Sequence, residues 1–343
     1  MQLSIIVPVY NMASGGKLKF CLDSLLKQKL ADYEIITVDD KSTDNSLEVL
    51  REYEAKYPEK IKVVASPENR RQGGAKNLGL AQAKGDFIGF VDSDDWVSAD
   101  MFSKLLEKAV ITGADIVGCD YLITDELGKE EGRSIQNNYA SQTGELDDAK
   151  YRELILTPGS MVIKIYRREL FFDHGIVFPE KMFYEDNAIS VLPFLYAKRF
   201  ERVEECLYFY YQHNASTVHT VDIGRCKDRI LAMELYKKQC VERGFYDRFQ
   251  KEMDYKIFEL GYRNTLFSYM QAKSIPGYGF VAGLRKFLIE QVPEFAQNEY
   301  YQKLVDPETK KLVGLHRKSN LLFICYYKAL YCYRKLRYRN KQG

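Results

Sequence analysis

Asp92, Asp94 and Asp95 place three acids within four residues, directly after the apolar run Phe87-Ile88-Gly89-Phe90-Val91. Carboxylates this close repel one another unless a cation or hydrogen-bond donors compensate them. Oxygen donors on a tight loop suit a hard divalent ion, Mg²⁺ or Mn²⁺, of the kind that bridges to substrate phosphates. The same acids would equally serve to start a helix, because Asp is a favoured N-cap. A second pair, Glu185-Asp186, heads an apolar stretch with Ile189, Leu192, Phe194 and Leu195. A carboxylate there can take a proton from a hydroxyl nucleophile. It can also be a first-turn acid favoured by the helix dipole.

The run before the first cluster reads as a short buried strand, and ligands of open α/β sheets bind outside the carboxyl ends of such strands. Leu3 to Asn11 and Tyr33 to Val38 read the same way, the second entering a polar loop from Asp39 to Ser46. Leu18, Cys21, Leu22, Leu25 and Leu26 predict an amphipathic helix from Lys17 to Leu30. Another helix follows Ser46, and Ile61 to Ala65 is a third strand. This alternation predicts βαβ units and a parallel sheet. Asn69 to Gly79 opens the next helix. Its glycines predict close backbone approach, and its N-terminus an anion site. The dinucleotide pattern GxGxxG is absent. Ser98 is expected to cap the helix after the acidic loop, and Gly113 to close it. Asp115 to Cys119 is a strand. Residues 124–147 are a polar excursion, read as a hairpin or a lid. Met161 to Tyr166 is a strand, an apolar helix follows Phe183, and Leu207 to Tyr211 leads into Gln212 to Thr217. Beyond about residue 220, long amphipathic stretches (226–243, 248–272, 279–291 and 319–338) predict helices. The expected domains are therefore 1–217 and 218–343.

The chain has 343 residues, a net charge of +2 and 46% hydrophobic residues, enough for a sizeable core and excluding full disorder. Seven cysteines are scattered, without CxxC or zinc spacing, and read as thiols of a reducing compartment. Met1 to Ser4 lacks the basic lead of a signal peptide, and no apolar run is long enough to span a bilayer. The expected location is cytoplasmic.

Four stretches carry a resemblance. They are Ser4 to Asn11, Glu34 to Asp44, Gly85 to Trp96, and Glu185-Asp186, and they cover roughly residues 1–217. In order and spacing the chain resembles the inverting nucleotide-sugar glycosyltransferases of family 2, of non-processive bacterial type. The implied fold is GT-A: α/β, Rossmann-like, with a mostly parallel sheet flanked by helices, here followed by a helical C-terminal region. The implied donor is a UDP-sugar, and the implied cofactor Mn²⁺ or Mg²⁺. On this resemblance Pro8, Tyr10, Asp39, Arg71, Lys76, Asp92 and Ser93 hold the nucleotide. Asp94 and Asp95 hold the metal, and His213 and Ser216 contact the diphosphate. Asp186 is the general base, with Glu185 orienting it or touching the acceptor. The Gln-x-x-Arg-Trp signature of processive synthases is absent, because the single Trp is Trp96. That points to transfer of one hexosyl or N-acetylhexosaminyl group per encounter. A catalytically silent relative and a nucleotidyltransferase of related fold are the alternatives. The usual glycine-rich phosphate loop of the latter is missing.

Charge is segregated. From residue 309 onward there are ten Lys/Arg and no Asp or Glu, interleaved with Leu321, Leu322, Tyr326, Tyr331 and Tyr333. Residues 317–343 therefore read either as a membrane-surface segment or as a terminal helix packed on the domain. The membrane reading implies a lipid-linked glycan acceptor on the inner face of the cell membrane. No nucleic-acid module accompanies the charge, so no nucleic-acid partner is expected.

Overall fold

A computed structural model describes residues 1–212 and 222–339, with side chains to residue 335. The chain divides into two compact units, Met1–His219 and Thr220–Gly343.

The first unit is built on a sheet of ten strands among the described residues. They are β1 (Leu3–Val9), β2 (Tyr33–Asp39), β3 (Ile61–Ala65), β4 (Phe87–Phe90), β5 (Trp96–Val97), β6 (Ile116–Thr124), β7 (Arg133–Ile135), β8 (Gly144–Glu145), β9 (Lys164–Arg167) and β10 (Arg199–Tyr211). The order is β3-β2-β1-β4-β9-β6-β10-β5, with β7 on β6 and β8 on β10. Strands β1 to β4 pair parallel, as do β6 and β10, while β9 joins the two sets antiparallel. Strands β1 and β2 are buried along their whole length, as apolar runs in covered parallel sheets are. The crossovers are α1 (Lys17–Leu26), α2 (Ser46–Lys56), α3 (Arg71–Leu80) and α4 (Met101–Thr112). Leu18, Cys21, Leu22 and Leu25 of α1 and Met101, Phe102, Leu105 and Ala109 of α4 join the strands in one core.

Several local expectations change. The close approach expected at the glycines of α3 is to protein. A Cβ on Gly73 would lie 2.0 Å from the Pro179 carbonyl oxygen, and one on Gly79 would lie 2.4 Å from Ile6. They let α3 pack against the sheet and the 178–180 segment. Asp100, not Ser98, is the residue before α4, and the Ser98 hydroxyl donates to its carboxylate. The excursion at 124–147 is a hairpin onto β6, pinned by buried Asn138 and Gln142. Two short helices, α5 (Asp148–Leu156) and α6 (Glu169–Phe172), come first, and the single apolar helix expected after Phe183 is two, α7 (Glu185–Ile189) and α8 (Leu192–Tyr196). Pro193 sits in the first turn of α8, where its missing N–H does no harm, so the helix is broken ahead of it.

The second unit is helical: α9 (Ile223–Glu242), α10 (Gln250–Lys256), α11 (Thr265–Ala272), α12 (Tyr278–Gln291), α13 (Glu299–Leu304), α14 (Pro307–Lys318) and α15 (Asn320–Arg339), with a π-helical stretch, Ile257–Asn264, joining α10 to α11. His316 is fully buried between the Tyr262 hydroxyl (2.8 Å) and the Val281 carbonyl (3.0 Å), and burial pushes it down to about 4. It is a neutral core histidine. None of the described helices is long and apolar enough to cross a membrane.

Candidate active site

Strands β1, β2 and β4 run parallel, so their carboxyl ends open onto one edge, with Val9 opposite Asp39. The loops beyond them are fastened to one another. Asn11 Oδ1 accepts from the Thr43 N–H (2.8 Å), and the Ser46 hydroxyl accepts from the Met12 N–H (2.7 Å). A cavity of about 490 Å³ lies at this edge, walled by Pro8, Val9, Tyr10, Met12, Asp40, Asn69, Arg71, Gln72, Ala75, Ser93, Asp94, Met182, Phe183 and Glu185. Pro8, Tyr10, Arg71, Ser93, Asp94 and Glu185 of the sequence candidates thus share one wall. Asp39, Lys76, Asp92, Asp95 and Asp186 are not among the wall residues. His213 and Ser216 lie outside the described residues.

The non-glycine residues with positive φ among those described are Asn11, Lys41, Arg71, Lys181 and Tyr184. Arg71 is in the wall, and each of the others adjoins a wall residue. Left-handed backbone at non-glycine positions is unfavourable and tends to gather at functional sites.

The second βα loop presents Asp40 rather than Asp39. Both are buried, at 2% exposure. Asp39 Oδ2 accepts from the Ser42 N–H at 3.2 Å. Asp40 Oδ1 accepts from the Arg70 N–H at 2.7 Å. One oxygen of each, Asp39 Oδ1 and Asp40 Oδ2, has no protein donor. Burial, with a smaller push from Asp39, raises the Asp40 carboxyl above its ordinary range. A buried acceptor without a donor costs stability unless a ligand supplies one. Opposite it, the Arg71 guanidinium stacks on Phe183, 4.0 Å from the ring centre.

Residues 92–95 form a tight turn, closed by a hydrogen bond from the Asp95 N–H to the Asp92 carbonyl (3.1 Å). Its inner residues, Ser93 and Asp94, are in the wall. Its outer residues anchor it. Asp92 Oδ1 accepts from Gln72 Nε2 (3.0 Å), and the Cys21 thiol donates to the Asp92 carbonyl (3.6 Å). Asp95 is 1% exposed, with both oxygens engaged: Oδ2 by the Tyr208 hydroxyl (2.6 Å) and Oδ1 by the Tyr211 N–H (2.8 Å). Each Asp95 oxygen thus has one partner on β10. Burial raises Asp92 to about 6, opposed by Lys76 and helped by Asp94. Burial and the charges of Asp94 and Asp92 push Asp95 well up.

The other acids are set by α3. Asn77 pairs with both backbone groups of Phe178 at 2.9 Å, and the Lys181 N–H donates to the Arg70 carbonyl (2.8 Å). This holds the chain that ends in Tyr184, Glu185 and Asp186. Lys76 is not exposed to the cavity as expected. It is 3% exposed, and its Nζ meets Glu185 Oε1 at 2.8 Å. Burial alone would lower the Lys76 ammonium, but Glu185, Asp92 and Asp186 outweigh it and hold it charged. Burial and the adjacent Glu185 raise Asp186, with Lys76 pulling it back.

Among the described residues no group of three His, Cys, Asp or Glu is arranged to hold a metal ion. A cation carried by one or two carboxylates, with diphosphate oxygens and water completing its shell, needs no such group. Asp94, at the corner of the turn and in the wall, fits that donor set.

The glycosyl transferase family 2 model matches residues 4–175. The uncharacterized glycosyltransferase EpsJ of Bacillus subtilis (strain 168) is 35% identical over 250 residues, covering 72% of this chain and 70% of that protein. The poly(ribitol-phosphate) beta-N-acetylglucosaminyltransferase TarS of Staphylococcus aureus (strain Mu50 / ATCC 700699) is 31% identical over 216 residues, covering 61% of this chain and 35% of that longer protein. The crystal structure of S. aureus TarS 1-349 in complex with UDP-GlcNAc superposes with a TM-score of 0.73 and 25% identity, covering 98% of this chain and 92% of that one. The shared architecture is the GT-A fold.

Proposed function

The chain belongs to glycosyl transferase family 2, and on that footing we propose that it moves one sugar from a UDP-sugar to a hydroxyl of a glycan acceptor, with inversion and with a divalent cation. One observation carries this: Asp40, Arg71, Asp94 and Glu185 converge on a single cavity at the carboxyl edge of the sheet. Asp40 and the buried Asp39 offer acceptor oxygens to the uracil edge and ribose, and Pro8, Tyr10 and Arg71 enclose the base. Asp92 and Ser93 face the ribose, and His213 and Ser216 complete the diphosphate contacts. Asp94 holds Mn²⁺ or Mg²⁺, which when bound offsets the charge of the departing nucleoside diphosphate.

Asp186 takes the proton of the attacking hydroxyl. Its raised affinity for that proton suits a base, while Glu185 is tied to Lys76 and orients it. A single in-line attack converts an α-linked donor into a β-linked product. The N-acetylhexosamine of the TarS complex makes UDP-GlcNAc the first donor to test. Residues 1–217 act as the catalytic domain, followed by the helical region 218–343. Leu321, Leu322, Tyr326, Tyr331 and Tyr333 of α15 are exposed beside Lys/Arg, which supports a peripheral place on the inner face of the cell membrane and a lipid-linked acceptor.

The test is release of UDP from a panel of UDP-sugars with Mn²⁺, with and without glycan acceptor. Acceptor-stimulated UDP release is expected. Release of pyrophosphate would point to a nucleotidyltransferase, and no turnover with tight UDP binding to a silent module.

A further inference from the structure

We infer that Tyr208 is a positioning residue for the Asp94 site, acting through Asp95 and the backbone of Asp92; this rests on the cation reading of Asp94. Tyr208 lies on β10, 116 positions along the chain from Asp92, and is 1% exposed. Its hydroxyl makes two contacts, to Asp95 Oδ2 at 2.6 Å and to the Asp92 N–H at 3.3 Å. Their roles follow from chemistry. A backbone N–H can only donate, so the phenol oxygen accepts from Asp92 and its one proton goes to Asp95. The phenol therefore ties together the first and last residues of the 92–95 turn, whose own closing bond is 3.1 Å.

The neighbouring Tyr211 N–H fixes the second Asp95 oxygen at 2.8 Å. With both ends of the turn held, Ser93 and Asp94 are left as its corner in the cavity wall. The ring itself is core, packed with β1, β4 and α4 residues. Only the hydroxyl belongs to the site.

Tyr208→Phe removes one oxygen atom and keeps the ring. Mn²⁺ affinity is then measured on the protein–UDP complex by the free-Mn²⁺ electron paramagnetic resonance signal, together with UDP affinity in EDTA and the melting temperature. The expected result is Mn²⁺ affinity weakened at least about tenfold, with metal-free UDP affinity unchanged, and the KM for Mn²⁺ in turnover rising by the same factor. In Asp95→Asn, adding Tyr208→Phe should then weaken Mn²⁺ by less than twofold more, because both changes cut one linkage. Unchanged Mn²⁺ affinity in Tyr208→Phe, with or without a lower melting temperature, overturns the inference and makes the hydroxyl purely structural. If wild-type protein–UDP itself takes up no Mn²⁺, the cation reading of Asp94 fails instead. Should Tyr208→Phe not fold, Asp95→Asn alone, read by the same Mn²⁺ titration, serves as the second variant, with the same expected loss.

Discussion

Two acidic clusters face each other in the sequence of this site, and they are compensated differently. The 92–95 turn is hydrogen-bonded by uncharged donors: the Gln72 amide, the Tyr208 phenol and the Tyr211 N–H. The 185–186 pair is compensated by a buried ammonium, Lys76, at 2.8 Å. Neutral donors fix the turn in place, although the Lys76 charge also acts on Asp92, and Asp94 at its corner is the candidate for a cation. A buried ion pair cancels charge locally, so the pair does not compete for that cation. On the proposed function, the difference divides leaving-group stabilisation at the turn from proton removal at Asp186.

The largest test of this division is Asp186→Asn. It should lower kcat by about 10²- to 10⁴-fold, the usual worth of a general base, with UDP-sugar affinity within a few-fold of wild type. Retained turnover would remove Asp186 from the mechanism and leave the 185–186 pair as a helix start.

Lys76→Met leaves Glu185 buried without its partner. A cost of about 3–5 kcal/mol in unfolding free energy is expected, read by chemical denaturation, because breaking one side of a buried pair is far worse than never forming it. A cost below about 1 kcal/mol would mean that the pair is solvated and the contrast with the turn is false. Asp95→Asn on the turn should cost less, about 1–3 kcal/mol, since it disturbs hydrogen bonds to one buried group.

The smallest effect is on pH dependence. Asp186 is held above the ordinary carboxylate range, so kcat should fall as pH drops through that raised value, where the base becomes protonated. Glu185 is among the causes of the rise, and Glu185→Gln should move the acid limb to lower pH. A limb that moves to higher pH, or does not move, would show that the pair is not coupled.

Much of this was legible in the sequence, and the reasons for the rest are local. Strand ends and their acids were readable because buried parallel strands are continuous apolar runs, and three of the four motifs lie within residues 4–175, which the family model matches. Asp40, Gln72 and Phe183 were not singled out, although Asp40 and Gln72 each adjoin a residue that was and Phe183 lies two before Glu185. Which of two neighbouring acids faces a cavity depends on backbone rotation, because successive side chains at a strand end point to opposite sides. Tyr208 was beyond reach, because nothing in a strand reading Leu207-Tyr208-Phe209-Tyr210-Tyr211 marks which phenol meets a carboxylate 113 positions away. The glycines of α3 were readable as places of close approach, but not the groups that approach, Pro179 and Ile6.

The central claim is that Asp94 carries the cation that serves the diphosphate. It is tested most directly by titrating Mn²⁺ into UDP release from UDP-GlcNAc, or from whichever donor the panel selects, for wild type and Asp94→Asn. The account predicts saturable activation of the wild type, abolished by EDTA, and loss of that activation in Asp94→Asn while UDP still binds in the absence of metal. Turnover that is equal with and without Mn²⁺, or activation preserved in Asp94→Asn, would contradict it.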